Sequence, residues 1–158
     1  MILLNNTVLS NFALAQAVPL LIEFCGGKGR ITEQVLAEFE KGVQQGVLPT
    51  TTLTWLKKVK LRGSRERTLF LQLCTQLGAG EASCLAVAVV RGYSFLTDDM
   101  KARKVARTEG VTVSGSVGVL LELIRIHKLT LEEGNNILRT FIQHGYFSPV
   151  ERLDEFLQ

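Results

Sequence analysis

Short apolar runs alternate along the chain with longer stretches in which apolar residues recur every three or four positions. Ile2-Leu3-Leu4 is a continuous apolar run that stops at Asn5-Asn6-Thr7, the pattern of a buried parallel strand ending in a polar turn. Leu9, Phe12 and Ala13, then Val18, Leu21 and Ile22, return at helical spacing with Pro19 among them. This predicts two short helices, the second opening near the proline and ended by Gly26-Gly27. Ile31, Val35, Phe39 and Val43, with Leu36 beside them, make the stripe of an amphipathic helix, with Thr32 as its N-cap and Gly46 as its stop. Leu53 to Leu56, with Val59, is β-prone and follows Pro49.

The second half repeats the alternation. Leu69 to Leu77 reads as a helix closed by Gly78-Ala79-Gly80, and another helix runs from Glu81 to Gly92. Tyr93 to Thr97 is a buried strand, and Asp98-Asp99 open a helix that ends at Gly110. Val111 to Val113 is a further strand, Val117 to His127 and Leu131 to Gln143 are helices, and Pro149 opens a last one. Strands alternating with helices predict an α/β fold in three layers, a central parallel sheet with helices on both faces. No Pro/Gly-rich linker divides the 158 residues, so a single domain spanning 1–158 is expected.

Composition changes this picture little. Hydrophobic residues make up 46 % and charged residues 21 %, which is ordinary for a globular chain. A net charge of +3 admits a polyanionic partner without demanding one. Cys25, Cys74 and Cys84 are odd in number and have no Cys-x-x-Cys spacing, so they read as free thiols in a reducing compartment. His127 and His144 stand far apart with no cysteine at zinc-ligand spacing. Met1 to Asn6 lacks the basic leader and cleavage site of a signal peptide, and no apolar run is long enough to span a membrane. Residence in the cytoplasm is the resulting expectation.

In an open parallel sheet, ligands bind beyond the carboxyl ends of the strands. Two expected strand ends carry polar clusters, Asn5-Asn6-Thr7 and Thr97-Asp98-Asp99. Glu81 opens a helix after a Gly-Ala-Gly turn, and Glu38 lies late in an earlier helix. Brought together, these side chains would offer the hard oxygen ligands that suit Mg²⁺ or Mn²⁺. Such an ion activates water and stabilises charge on a phosphoryl oxygen.

The run Asn5-Asn6-Thr7-Val8-Leu9-Ser10-Asn11-Phe12 resembles the opening of PIN domains, where a strand ends in Asp and is followed by Thr, then Ser or Asn, then a helix. Gly80-Glu81-Ala82, followed by Leu85-Ala86-Val87-Ala88, resembles the Gly-Glu-Ala segment of a prokaryotic PIN subfamily described as predicted nucleic-acid-binding proteins. Leu96-Thr97-Asp98-Asp99-Met100-Lys101-Ala102-Arg103 resembles the next segment of that subfamily. Gly115-Ser116-Val117-Gly118-Val119-Leu120-Leu121 resembles its Gly-x-x-Gly-Val-Leu helix start. The order and spacing hold over most of the chain, most specifically from about Leu77 to Gly145.

The resemblance implies a ribonuclease that uses one or two divalent ions, Mg²⁺ or Mn²⁺, held by four acidic positions. Position by position these are Asn5, Glu38, Glu81 and Asp99, with Asp98 as a neighbouring metal ligand. Lys101, Arg103, Lys104 and Arg107 flank the acidic site and, with Thr97 as a hydrogen-bonding aid, are the expected RNA contacts. Many family members are toxins of toxin–antitoxin pairs and many dimerise, so a protein antitoxin and a homodimer are implied partners. This chain departs from the pattern at its first catalytic position, where Asn5 replaces Asp. Asparagine keeps one carbonyl oxygen but lacks the charge, which weakens divalent-ion binding. Two origins fit: an introduced change that disarms a nuclease, or a degenerate domain that binds RNA or protein without cutting.

Each residue also has a plainer reading. Asp98 and Asp99 suit a helix start, Glu81 suits a first helical turn, Glu38 suits a solvated face with Glu33 and Glu40, and Asn5 suits its own turn. Lys57, Lys58, Lys60, Arg62, Arg65 and Arg67 form the most basic stretch; a charge run without interleaved aromatics reads first as solvated surface, and phosphate binding is the alternative. An acidic pair after a strand also faintly resembles phosphoacceptor receiver domains, but those place the pair after the first strand, where this chain has asparagines.

Overall fold

The computed structural model describes residues 1–157. Five parallel strands form one sheet: β1 (Ile2–Leu4), β2 (Gly29–Thr32), β3 (Lys57–Val59), β4 (Ser94–Leu96) and β5 (Val113–Ser114), in the order β3-β2-β1-β4-β5. Helices α1 (Asn6–Leu14), α2 (Val18–Cys25), α3 (Glu33–Gln44), α4 (Gly63–Leu73), α5 (Ala79–Arg91), α6 (Met100–Thr108), α7 (Ser116–Arg125) and α8 (Leu131–Gln143) complete the three-layer α/β architecture, and a 3-10 turn follows at Leu153–Phe156.

The chain winds outward from β1 through β2 to β3, then returns to β4 on the other side of β1. The reversal creates a switch point between β1 and β4, the place beyond the carboxyl ends of the strands where open parallel sheets bind their ligands. The register pairs Leu4 with Leu96, so Asn5 and Thr97 both stand at that switch point.

The core explains the layering. Leu3, Leu4, Phe95 and Leu96 are buried on strands covered from both sides, and Phe12, Phe39, Phe95 and Phe141 are fully buried. Each such side chain contributes about 1.5–3 kcal/mol of transfer free energy. Phe12 and Phe141 meet edge to face with centroids 5.0 Å apart, which ties α1 to α8. Helix α5 is buried along most of its length, and its small residues Ala82, Ser83, Cys84, Ala86 and Ala88 let it lie close to the sheet and to α3. Helix α4 packs along α5. Glu66, near the start of α4, receives two hydrogen bonds at 2.8 and 3.0 Å from Arg91 at the end of α5.

Several boundaries differ from the sequence reading. Ile31 lies on strand β2 and not on the stripe of the following helix; with only four residues, buried on both faces, β2 shows no period of its own. The strand expected from Leu53 lies at Lys57–Val59, because Trp55 and Leu56 turn to cover Gly29, where a Cβ would meet Leu56 Cδ2 at 2.7 Å. The helix expected from Leu69 already starts at Gly63, drawing the basic stretch into β3 and α4. Pro149 opens no α-helix; only the 3-10 turn follows. Thr32 caps α3 as expected, its hydroxyl accepting from Val35 N at 3.2 Å. No helix among the described residues is long and apolar enough to cross a membrane, and all three cysteines are free.

Candidate active site

Asn5 closes β1 and is the N-cap residue of α1, but its side chain does not cap that helix. It is 1 % exposed, and its Nδ2 donates to Thr97 Oγ1 at 2.9 Å. Its backbone N–H donates to Leu96 O at 2.9 Å, continuing the ladder between β1 and β4. The plain expectation that Asn5 serves only its own turn therefore gives way to a contact across the switch point.

Thr97 is wholly buried. Its hydroxyl oxygen also accepts from Asp99 N at 3.2 Å, so one oxygen ties position 5 to position 99. This placement takes Thr97 off the surface, away from the direct RNA contact expected of it. Asp99 caps α6, with Oδ1 accepting from Ala102 N at 2.7 Å. Its Oδ2 has no hydrogen-bond partner among the described residues.

Asp98 behaves differently from its neighbour. Oδ1 accepts from Ser116 N at 2.8 Å, while Oδ2 accepts from Asn11 Nδ2 at 3.0 Å and from the Ser116 hydroxyl. It therefore caps α7 across the β4–β5 junction. Burial pushes its carboxyl above the ordinary range, with the Ser116 hydrogen bonds opposing that rise. Both oxygens are engaged by protein donors, which departs from the metal-ligand role expected of it. A Cβ at Gly115 would lie 2.4 Å from Asp98 Oδ1 and 3.0 Å from Thr97 O, so this turn has room only for glycine. Thr7 completes the corner by accepting from Asp98 N at 3.0 Å.

A second group of carboxylates forms where α3 meets the start of α5. Glu38 Oε1 accepts from Gly80 N at 3.0 Å. A Cβ at Gly80 would come within 2.5 to 2.9 Å of the Glu38 carboxylate, so the Gly80-Glu81 sequence lets Glu38 approach. Burial first, and the adjacent Glu81 carboxylate second, raise the Glu38 carboxyl above its ordinary range; the Gly80 hydrogen bond opposes both. Beneath the pair, the Thr32 and Ser83 hydroxyls meet at 2.8 Å and Ser83 donates to Gly80 O at 2.7 Å, which locks α3 to α5. Burial raises the Cys84 thiol to about 12, so it is inert as a nucleophile.

None of the ion pairs among the described residues involves Glu38, Glu81, Asp98 or Asp99. Glu38 and Glu81 thus form an acidic pair without a cationic partner, the chemistry a divalent ion satisfies. The donor types fit such an ion, but the set is one charge short. Among the described residues no group of three His, Cys, Asp or Glu side chains is placed to hold a metal. Lys101 and Lys104 on α6 are exposed. Arg103 is half-buried, and its Nη1 donates to Thr97 O at 3.0 Å.

Sequence reading overlooked Thr7, Asn11, Ser83 and Ser116 as parts of this frame. Thr7, Asn11 and Ser116 lie within the motif segments quoted above, but their partners are 91, 87 and 18 residues away.

An acidic pair without a cationic partner, and a helix that follows the switch point and exposes Lys101 and Lys104, are consistent with a nuclease-type module. A family model described as a PIN domain matches residues 1–158, and the chain belongs to the PIN domain family, whose members are generally nucleases that use divalent metals. No curated protein and no solved structure is significantly similar to the chain.

Proposed function

We propose that this chain is a PIN-type endoribonuclease dependent on Mg²⁺ or Mn²⁺, attenuated by the neutral side chain at position 5. The observation that carries the reading is the Glu38–Glu81 pair, held together by Gly80 with no Lys or Arg to neutralise it. Glu38 and Glu81 would hold the ion, and the resemblance supports Asp99 and the neutral Asn5 Oδ1 as further oxygens toward it. When bound, the ion lowers the pKa of water and withdraws charge from the scissile phosphate. Thr97 positions Asn5 and Asp99, and the exposed Lys101 and Lys104 hold the RNA backbone. The resemblance to toxin members of the family supports a toxin–antitoxin setting, with a protein antitoxin and a homodimer as partners.

A second reading is a degenerate domain that binds RNA or protein without cutting. It is favoured by the absence, among the described residues, of a third carboxylate grouped with Glu38 and Glu81 and by the hydrogen bond that the Asn5 amide donates to Thr97. The deciding experiment incubates a mixed-sequence oligoribonucleotide with Mn²⁺ and the chain, its Asn5→Asp variant, or Asn5→Asp combined with Glu81→Gln. Cleavage by Asn5→Asp that disappears with Glu81→Gln supports the nuclease. No cleavage by Asn5→Asp rejects it in favour of the binding module.

A further inference from the structure

We propose that the cleft where the start of α4 meets the end of α5 is a second site for the RNA backbone, an inference that rests on the nucleic-acid reading above but not on the metal centre. The basic run from Lys57 to Arg67 divides in the fold. Lys57 and Lys58 lie exposed on β3, and Lys60 stands 3.6 Å from Glu33. Arg62 and Arg65 instead line one cleft of about 500 Å³ together with Ser64, Arg91 and Tyr93. The one acid lining it, Glu66, is 2 % exposed and already engaged. Its carboxylate accepts from Arg62 N at 3.1 Å and twice from Arg91, at 2.8 and 3.0 Å. Three arginines against one glutamate leave the cleft an excess of two positive charges. Arg62 and Arg65 are exposed and form no ion pair among the described residues. A planar guanidinium matches two phosphate oxygens at once and gives up its water readily, so this excess suits a phosphate.

The shape favours a strand over a small anion. A second hollow of about 410 Å³ shares Ser64, Arg65 and Val90 with the first and continues to Thr68 and Gln72. The two make an open trough along the seam between α4 and α5, and a basic trough tracks a single-stranded backbone. Glu109 lines only the second hollow, so the positive charge is concentrated in the first. Tyr93 directly precedes β4, whereas Thr97, Asp98 and Asp99 follow it. The rise of the strand puts roughly 15 Å between Tyr93 and Asp98. The trough is therefore a contact separate from Lys101 and Lys104.

The test is fluorescence anisotropy of a labelled single-stranded oligoribonucleotide with the full chain over a salt series, with EDTA present so that no metal centre contributes. Arg62→Ala combined with Arg65→Ala should lower the slope of log affinity against log salt by about 1.4 and weaken binding at least about tenfold at low salt. Arg62→Lys combined with Arg65→Lys should restore the slope, because the charge returns. Both variants should melt with the parent, since they change exposed side chains that hold no partner. Unlabelled RNA should displace the probe, and poly-glutamate at equal charge should not. Displacement by poly-glutamate as effective as that by RNA assigns the trough to an acidic protein and overturns the proposal. Absence of RNA binding by the parent overturns it too. So does an unchanged slope in the double alanine variant, which leaves the nuclease reading standing. A full loss of slope beside an Asn5→Asp chain that does not cleave RNA removes the nuclease and keeps the trough.

Discussion

The Asn5 amide and the Thr97 hydroxyl, 92 residues apart, meet at 2.9 Å where two adjacent parallel strands end. The same hydroxyl oxygen receives Asp99 N, so the residue at position 5 and the acidic residue at position 99 share one anchor. A neutral amide donates into that anchor; a carboxylate in its place would accept from it and bring a charge to the switch point.

Restoring that charge should change ion binding. A unit charge at 4 Å is worth about 4 kcal/mol at an effective dielectric of 20, so even after heavy solvent screening Asn5→Asp should bind Mn²⁺ at least about tenfold more tightly. Calorimetric titration of both forms measures this. Equal, negligible heats in both would mean that the carboxylates do not converge on one ion.

The two adjacent aspartates should separate cleanly on mutation. Asp98→Ala removes a helix cap worth about 0.5–2 kcal/mol and strands the donors of Asn11 and Ser116, at about 1–3 kcal/mol. Chemical denaturation should show a loss of roughly 2–4 kcal/mol by these two contributions. Asp99→Ala should cost about 1 kcal/mol of capping while lowering Mn²⁺ affinity. A larger affinity loss in Asp98→Ala than in Asp99→Ala would reverse the assignment.

Glu38 ties stability to pH. Its carboxyl is raised in the folded chain, so the fold binds its proton more tightly than the unfolded chain does. The resulting stabilisation is complete below the ordinary glutamate range and fades as pH rises through the raised value. Without divalent ions, Glu38→Gln should therefore melt higher than the parent at neutral pH, and the gap should close on acidification. A lower melting temperature at neutral pH would show that Glu38 already has a cationic partner.

Glu66 has the opposite sign. Burial alone would raise its carboxyl, but the hydrogen bonds from Arg91 and from Arg62 N outweigh it and hold the group below its usual range. Its contribution is present above that range and lost as pH falls through the lowered value. Arg91→Met leaves Glu66 buried and unpaired, which should cost about 3–5 kcal/mol and flatten the acid limb of the stability profile. Denaturation midpoints at neutral and acid pH report both effects.

RNA binding should divide α6 by side chain. Lys101→Ala and Lys104→Ala should each lower the slope of log affinity against log salt by about one. Arg103→Ala should act instead on stability, because it abandons the Thr97 carbonyl. Fluorescence anisotropy of a labelled oligoribonucleotide over a salt series tests the division, and an unchanged slope in both lysine variants would place the RNA elsewhere.

The amino-acid sequence by itself determined the layering and most of the elements. The Ile2–Leu4 and Phe95–Leu96 runs, the 3.6-residue stripes of α3, α7 and α8, and the Thr32 cap act through contacts within a few residues, and local patterns record local forces. The polar strand ends at Asn5 and Thr97 likewise marked the switch point, because parallel sheets place their ligands there. Strand β2 escaped because four residues, three of them buried, are too few to show a period. Tertiary structure alone decided that Asn5 serves Thr97 and not its own helix, that Asp98 caps α7 while Asp99 caps α6, and that Glu38 and Glu81 share one corner through Gly80. Those pairings join residues brought side by side by strand order and burial, and a hydrogen bond across such a distance in the chain leaves no period or spacing to read.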